Sequence, residues 1–194
     1  MAPEWLGRWV SVERRSTSLL TFEPLVIPGL LQTPEYARAV LRLGKEAALD
    51  VDAQVSERLD RQNVLNREDP PPPLFHAILD EAVIRRPVGG PATMSDQLLR
   101  VVELAQRDLI IIQVIPFRIG EHAGFAGASL VLASFSNATT TEGAYVDNAL
   151  RGDVVGNPED VASIRRLWQR LSSKALPEDE PIDMIREVAA AWVS

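Results

Sequence analysis

Apolar positions follow a helical rhythm in the first third of the chain and a strand rhythm in its middle. Trp5, Trp9 and Val12 share one side of a short helix expected to fold back onto the body. Thr33-Pro34 opens a clearer one, because threonine is a favourable N-cap and a proline in the first helical position forfeits no hydrogen bond. Tyr36, Ala37, Val40 and Leu41 form its apolar face, and Gly44 is its expected stop. A third helix is expected from Asp52 to about Leu65, with Val51, Val55 and Leu59 turned inward. Arg58, Arg61 and Arg67 then sit towards its C-terminal half, where the helix macrodipole favours cations.

Asp69 and the prolines at 70–73 interrupt this pattern, since proline has no amide to donate to a helix or a central strand. The tract reads as an extended connector. It is either the seam between an N-terminal helical part (1–69) and an α+β part (70–194), or a rigid loop inside one domain of 1–194.

Beyond the tract, Leu74–Ile84 is a mostly apolar run that reads as a strand, broken by Arg85-Arg86-Pro87-Val88-Gly89-Gly90-Pro91. Ser95 is the expected cap of a helix with Leu98, Val101, Val102 and Ala105 on one face. Leu109–Phe117 is β-branched and reads as a buried strand. After the glycine-rich Gly120–Gly127, strands are expected at Ala128–Phe135, Ala144–Leu150 and Gly152–Val155. Asn157-Pro158 opens a helix with Val161, Ile164, Leu167, Trp168 and Leu171 in one stripe; Ile182, Ile185, Val188, Ala189 and Trp192 mark a last helix. The order predicts an α+β fold: an antiparallel or mixed sheet of four to five strands covered by helices, with an N-terminal helical part.

Composition narrows the chemistry. The chain has no cysteine, which removes disulfides, thiolate nucleophiles and cysteine zinc sites and fits a reducing cytoplasm. A net charge of −7 argues against direct binding of nucleic acid, which calls for a basic footprint. No run approaches the roughly 20 apolar residues of a membrane span, so a cytoplasmic protein is expected. Phosphate-loop, dinucleotide, zinc-protease and hydrolase-elbow motifs are absent, and two histidines do not make a histidine-rich metal site. No metal or cofactor is therefore expected.

Four segments carry candidate chemistry. On a strand, Glu81 would share a face with Phe75, Ala77, Leu79 and Val83, a carboxylate in an apolar row needing a cation from Arg85 or Arg86. It either locks the strand end or anchors a ligand. His122, in the glycine loop beside Glu121, either bonds backbone or lines a pocket lip and moves a proton. Gln113 is an amide among isoleucines and needs partners. The segment from Phe22 to Tyr36, with a Pro28-Gly29 turn, is read as structural. Phe117, Phe125 and Tyr145 complete the expected site as apolar walls.

Phe22-Glu23-Pro24 and Ile27-Pro28-Gly29-Leu30-Leu31-Gln32-Thr33-Pro34-Glu35-Tyr36-Ala37 resemble the start of a domain common in actinomycetes. That domain follows an XRE-type helix-turn-helix in antitoxin-like transcriptional regulators and has no assigned role. Arg58 with Arg61-Gln62, Leu79-Asp80-Glu81-Ala82, Arg85 to Gly89, Gln113-Val114 with Pro116-Phe117, His122-Ala123-Gly124 and Tyr145-Val146-Asp147 continue the resemblance in order. The helix-turn-helix itself is missing from this sequence.

The resemblance implies a regulatory domain that binds a small molecule or a small partner protein through Glu81, Arg85, Arg86 and His122. Such a domain would work by population shift, alone, as a homo-oligomer or paired with an intact regulator. A second expectation is a cofactor-free biosynthetic enzyme, a cyclase or isomerase with His122 and Glu81 as its acid/base pair. A third is an oligomerisation scaffold built on Trp5, Trp9, Trp168 and Trp192.

Overall fold

The computed structural model describes residues 4–43, 50–126, 129–136, 142–147, 152–177 and 179–193. Gly44, Gly127, residues 137–141 of the threonine-rich stretch, residues 148–150 of an expected strand and the side chain of Trp5 lie outside that description.

The chain opens with helix α1 (Glu4–Glu13), as the tryptophan spacing predicts, and Trp9 is buried. Strand β1 (Ser18–Glu23) follows, within a stretch the hydrophobic pattern leaves unassigned. Helix α2 (Pro34–Leu41) carries the expected cap, with Thr33 Oγ1 accepting from Tyr36 N. In α3 (Val51–Arg61), Asp50 accepts from the amides of Asp52 and Ala53, and a 3-10 turn extends the helix to Leu65.

Two expectations shift beyond the prolines. Strand β2 is Leu74–Asp80, and the chain turns there into the short helix α4 (Glu81–Arg85) because Asp80 Oδ1 accepts from Ala82 N. Glu81 therefore does not stand in the strand row of Phe75, Ala77 and Leu79. Helix α5 (Pro91–Leu104) begins a turn before the expected cap. Its N-cap is Gly90 at φ 93°, a left-handed conformation that glycine tolerates, and Ser95 is buried inside the helix.

Strands β3 (Ile110–Ile115), β4 (Leu130–Ser134), β5 (Glu142–Asp147) and β6 (Gly152–Val155) precede helices α6 (Pro158–Ser172) and α7 (Asp179–Ala191). The strands form one mixed sheet of six in the order β3-β2-β1-β4-β5-β6, one more than the four to five expected. The additional strand is β1, and it sits inside the sheet. It runs parallel to β2, pairing Leu19 with Phe75 and Phe22 with Ile78, and antiparallel to β4, pairing Thr21 with Val131. The proline tract, read as either a seam between two parts or a rigid loop inside one domain, lies between two strands that pair with each other.

The sheet is packed on both faces. Leu19, Phe75, Ala77, Leu79, Ile110, Ile112, Val114 and Tyr145 lie in one buried cluster with residues of α1, α2, α5 and α7. Phe22, Ile78, Ile115, Leu130, Leu132 and Ala144 meet Val161, Trp168 and Leu171 of α6 on the other. Trp9 and Trp168 are buried, and Trp192 packs against the first cluster with its Nε1 donating to Ile84 O. Trp9 and Trp168 thus fill the interior, and Trp192 packs on it. At the β3 edge, Leu176 N donates to Val114 O, and Gln113 Nε2 donates to Leu176 O while its Oε1 meets His76 Nε2 at 2.8 Å. Gln113 is a lock between sheet and chain end.

A second amide ties the N-terminal segment to α5. Gln97, fully buried, donates to Leu31 O at 2.8 Å and accepts from Thr33 N at 2.7 Å. Replacing it with leucine keeps the approximate volume and strands two backbone groups. We expect Gln97→Leu to lower unfolding free energy by about 2 kcal/mol, read by denaturant titration; an unchanged midpoint would show that water reaches those groups.

Candidate functional site

Because side chains alternate along a strand, Leu19, Thr21 and Glu23 of β1 all face the side covered by α1 and α3. Packing there is incomplete, and a cavity of about 470 Å³ opens between sheet and cover. Leu19, Thr21, Glu23, Phe75 and Val131 form its floor, and Ile27 to Leu30 enter from the turn that precedes α2. Trp9 and Tyr145 close one side with ring centroids 5.1 Å apart. Glu13, Gln32, Arg58, Arg61 and Asp147 supply the polar wall.

That wall is held by a chain of hydrogen bonds. Arg61 binds Glu13 through two bonds, Nε to Oε1 at 3.1 Å and Nη2 to Oε2 at 2.8 Å, and only 3% of Glu13 is exposed. Such a bidentate charged pair also pins α3 to α1. Arg58 Nη1 donates to Gln32 Oε1 at 2.7 Å, and Gln32 Nε2 donates to Ile27 O at 2.6 Å. Gln62 Nε2 donates to Gly29 O and Gln32 O, while Tyr36 Oη accepts from Ile27 N. The turn roofing the cavity is thereby fixed from α2, α3 and the 3-10 turn after it.

Glu23 is the unusual group. It is 9% exposed at the end of a central strand, where the hydroxyls of Ser129 and Thr21 reach its carboxyl, Thr21 Oγ1 at 3.5 Å. Burial pushes its carboxyl up to about 8; the Ser129 hydroxyl opposes this, the Asp147 carboxylate adds to it, and Thr21 and Arg58 pull it back. Burial first, and then the neighbouring Arg61, lowers the Arg58 guanidinium to about 10. Burial and Asp147 raise the Tyr145 phenol, keeping it a neutral donor. The cavity therefore sets a protonated carboxylic acid beside a guanidinium at neutral pH.

The sequence-predicted residues assemble elsewhere. Glu81 Oε1 binds Arg85 Nε at 2.6 Å one helical turn on, and Glu81 Oε2 accepts from Phe117 N at 2.6 Å. Arg85 and Arg86 are exposed. His122 pairs with Asp80, not Glu81: its Nε2 lies 3.0 Å from Asp80 Oδ2, and its Nδ1 accepts from Gly124 N. Its ring meets Phe22 edge-on, on the sheet face opposite the cavity. Both imidazole nitrogens are engaged in holding the loop. Phe117 and Phe125, at 56% and 69% exposure, are surface residues and do not line this cavity. Of the eight candidates only Tyr145 lines the cavity. Among the described residues no cluster of metal-ligating side chains occurs, and no helix is long and apolar enough to cross a membrane.

Sequence reasoning missed Glu23, Arg58, Arg61, Glu13 and Asp147. A signal existed: Glu23, Gln32, Arg58, Arg61-Gln62 and Tyr145-Val146-Asp147 all belong to the strings that carry the family resemblance, and they converge on this cavity. Reading Arg58 and Arg61 as macrodipole cations hid their role.

Fold and site together define an α+β protein with an open mixed sheet, one face of which holds a charged, aromatic-sided cavity. The chain belongs to the family described as a domain of unknown function, DUF5753, whose profile matches residues 6–187. Comparison with curated proteins and with solved structures gives no significant match.

A pH dependence follows from Glu23. Its folded-state value lies above the unfolded one, so between the two the native state holds a proton that the unfolded state has released, and stability falls as pH rises. Glu23→Gln, which imitates the protonated form, removes this contribution. We expect its stability relative to wild type to grow by about 1 kcal/mol per pH unit from about pH 5 to pH 8. Denaturant titrations across that range check it; parallel curves would show Glu23 to be ionised throughout.

Proposed function

We propose that this chain is a regulatory domain that binds a small molecule in the cavity between β1 and the α1–α3 cover. The carrying observation is the cavity itself: about 470 Å³, apolar and aromatic on its floor and one side, with Glu23 and Arg58 converging from the rest. Small-molecule sites have this size and this mixture, a mostly apolar lining with a few placed polar groups. The resemblance to effector domains of XRE-type, antitoxin-like regulators supports the regulatory half of the reading.

The geometry also supports a mechanism. The lining comes from α1, β1, the turn before α2, α3, β4 and β5. A ligand that fills it contacts segments distant in sequence at once and favours the arrangement in which they close together. Through the Arg61–Glu13 pair and the Trp9–Tyr145 contact, that arrangement sets the position of α1.

A second reading has one observation in its favour. A carboxylic acid held protonated near neutral pH in a cavity has the property a general acid needs. A cofactor-free cyclase or isomerase would then use Glu23, with Asp147 as the nearby base, and not His122 with Glu81. It predicts turnover that Glu23→Gln abolishes while binding persists.

A thermal-shift screen of the protein against a metabolite collection tests the main reading. Val131→Trp places a large side chain on the cavity floor, and His122→Ala removes the loop histidine on the opposite face. Hits should raise the melting temperature of wild type and His122→Ala alike and leave Val131→Trp unmoved. Hits that still stabilise Val131→Trp but lose their effect in His122→Ala would return the site to the glycine loop.

A further inference from the structure

Resting on the cavity reading above, we propose that the ligand carries a carboxamide or lactam edge, its carbonyl oxygen accepting from Arg58 and its N–H donating to the Glu23 carboxyl, with an apolar body on the cavity floor.

Hydrogen-bond capacity singles out these two groups. Glu13 and Arg61 direct their two bonds at each other. Gln32 accepts from Arg58 with its oxygen and donates to Ile27 O with its nitrogen. Arg58 is different. A guanidinium is a planar fork of several N–H donors, and among the described residues the hydrogen bond this one makes is from Nη1 to Gln32 Oε1, at 2.7 Å. That bond orients the fork and leaves donors for a ligand.

Glu23 supplies the acceptor. The Thr21 hydroxyl has a single hydrogen, and Leu130 O takes it at 3.0 Å, so the 3.5 Å approach of Thr21 Oγ1 leaves Glu23 Oε1 with lone pairs unused. The Ser129 hydroxyl reaches the same carboxyl, and two hydroxyls do not exhaust its acceptor sites. A carboxyl offers an acceptor oxygen whether it is ionised or protonated, so a ligand N–H finds a partner there in either state.

The two groups face one space without meeting. Arg58 and Glu23 stand near enough for the charge of each to act on the other, yet among the described residues no hydrogen bond or ion pair joins them. Arg58 comes from α3 and Glu23 from the end of β1, above a floor of Leu19, Phe75 and Val131. Donors on one side and an acceptor on the other call for a group that holds the complementary pair side by side. An amide does so in one rigid plane. A ketone or ether answers Arg58 and leaves the carboxyl without a donor, and a polar group left unmet in a partly dry site costs affinity. The apolar floor and the Trp9 and Tyr145 rings then receive the body of the ligand.

Three uncharged indole probes with side chains of equal heavy-atom count separate the contributions: indole-3-acetamide, indol-3-ylacetone and 3-isobutylindole. Isothermal titration at pH 7 should place the amide roughly tenfold tighter than the ketone, and the ketone roughly tenfold tighter than the hydrocarbon. Glu23→Leu should bring amide and ketone within about threefold and keep the ketone above the hydrocarbon. Arg58→Met should bring ketone and hydrocarbon within about threefold. A cooperative melt confirms the fold of each variant, and general damage to the cavity would lower all three probes together instead of removing one step. A ketone that binds as tightly as the amide, or an amide preference that survives in Glu23→Leu, overturns the proposal; when Val131→Trp abolishes that binding, the cavity reading stands. Binding of none of the three in a manner sensitive to Val131→Trp overturns both.

Discussion

Strand β1 occupies the middle of the sheet, hydrogen-bonded to a parallel neighbour on one side and an antiparallel one on the other. That placement decides what its side chains can be. Both faces of a central strand are covered, so every residue must either pack or find a partner. Leu19 and Phe22 pack, one on each face. Thr21 satisfies its hydroxyl on Leu130 O. Glu23, where the strand ends, is reached by the Ser129 and Thr21 hydroxyls and borders the cavity. The acid in the cavity wall and the pH dependence it brings both descend from a carboxyl group carried to that position.

The cover over this face is built to hold the opening. The Arg61–Glu13 pair, the Gln32–Arg58 bond and the Gln62 amide join α1, the turn at Gly29–Leu31 and α3 into one polar lattice. On the opposite face, α6 packs with Trp168 and Leu171 onto Phe22 and Ile78. His122 and Asp80 belong to that side and secure the loop after β3. The molecule thus divides its polar residues by sheet face: locks for the loop on one, a chamber on the other.

Much of the framework was legible from sequence wherever local chemistry and burial agreed. Thr33-Pro34 and Asn157-Pro158 mark helix starts by a cap and a proline, and both caps are made. The β-branched run at Ile110–Ile115 is a strand because such side chains suit a pleated buried surface. Strand β1 was hidden because a strand covered on both faces loses its period of two, and its three polar residues, Ser18, Thr21 and Glu23, interrupt the apolar run. Leu74–Ile84 misled for the opposite reason. Strand and helix are both apolar there, and only Asp80 as a cap marks the change of period at Glu81. The site escaped because its charges arrive from four separate segments, so no local spacing could show that Glu23, Arg58 and Asp147 share a wall.

The two borders of the sheet are unlike. At β3 the main chain of Leu176 and the Gln113 amide occupy positions a foreign strand would need. At β6 the border is four residues long and turns the charged Asp153 outward. Short length and charge are the usual guards against edge-to-edge stacking of sheets. One rim is therefore sealed by the chain's own later segment and the other is made unattractive, which leaves copies of this protein poorly suited to lengthening the sheet by lateral addition.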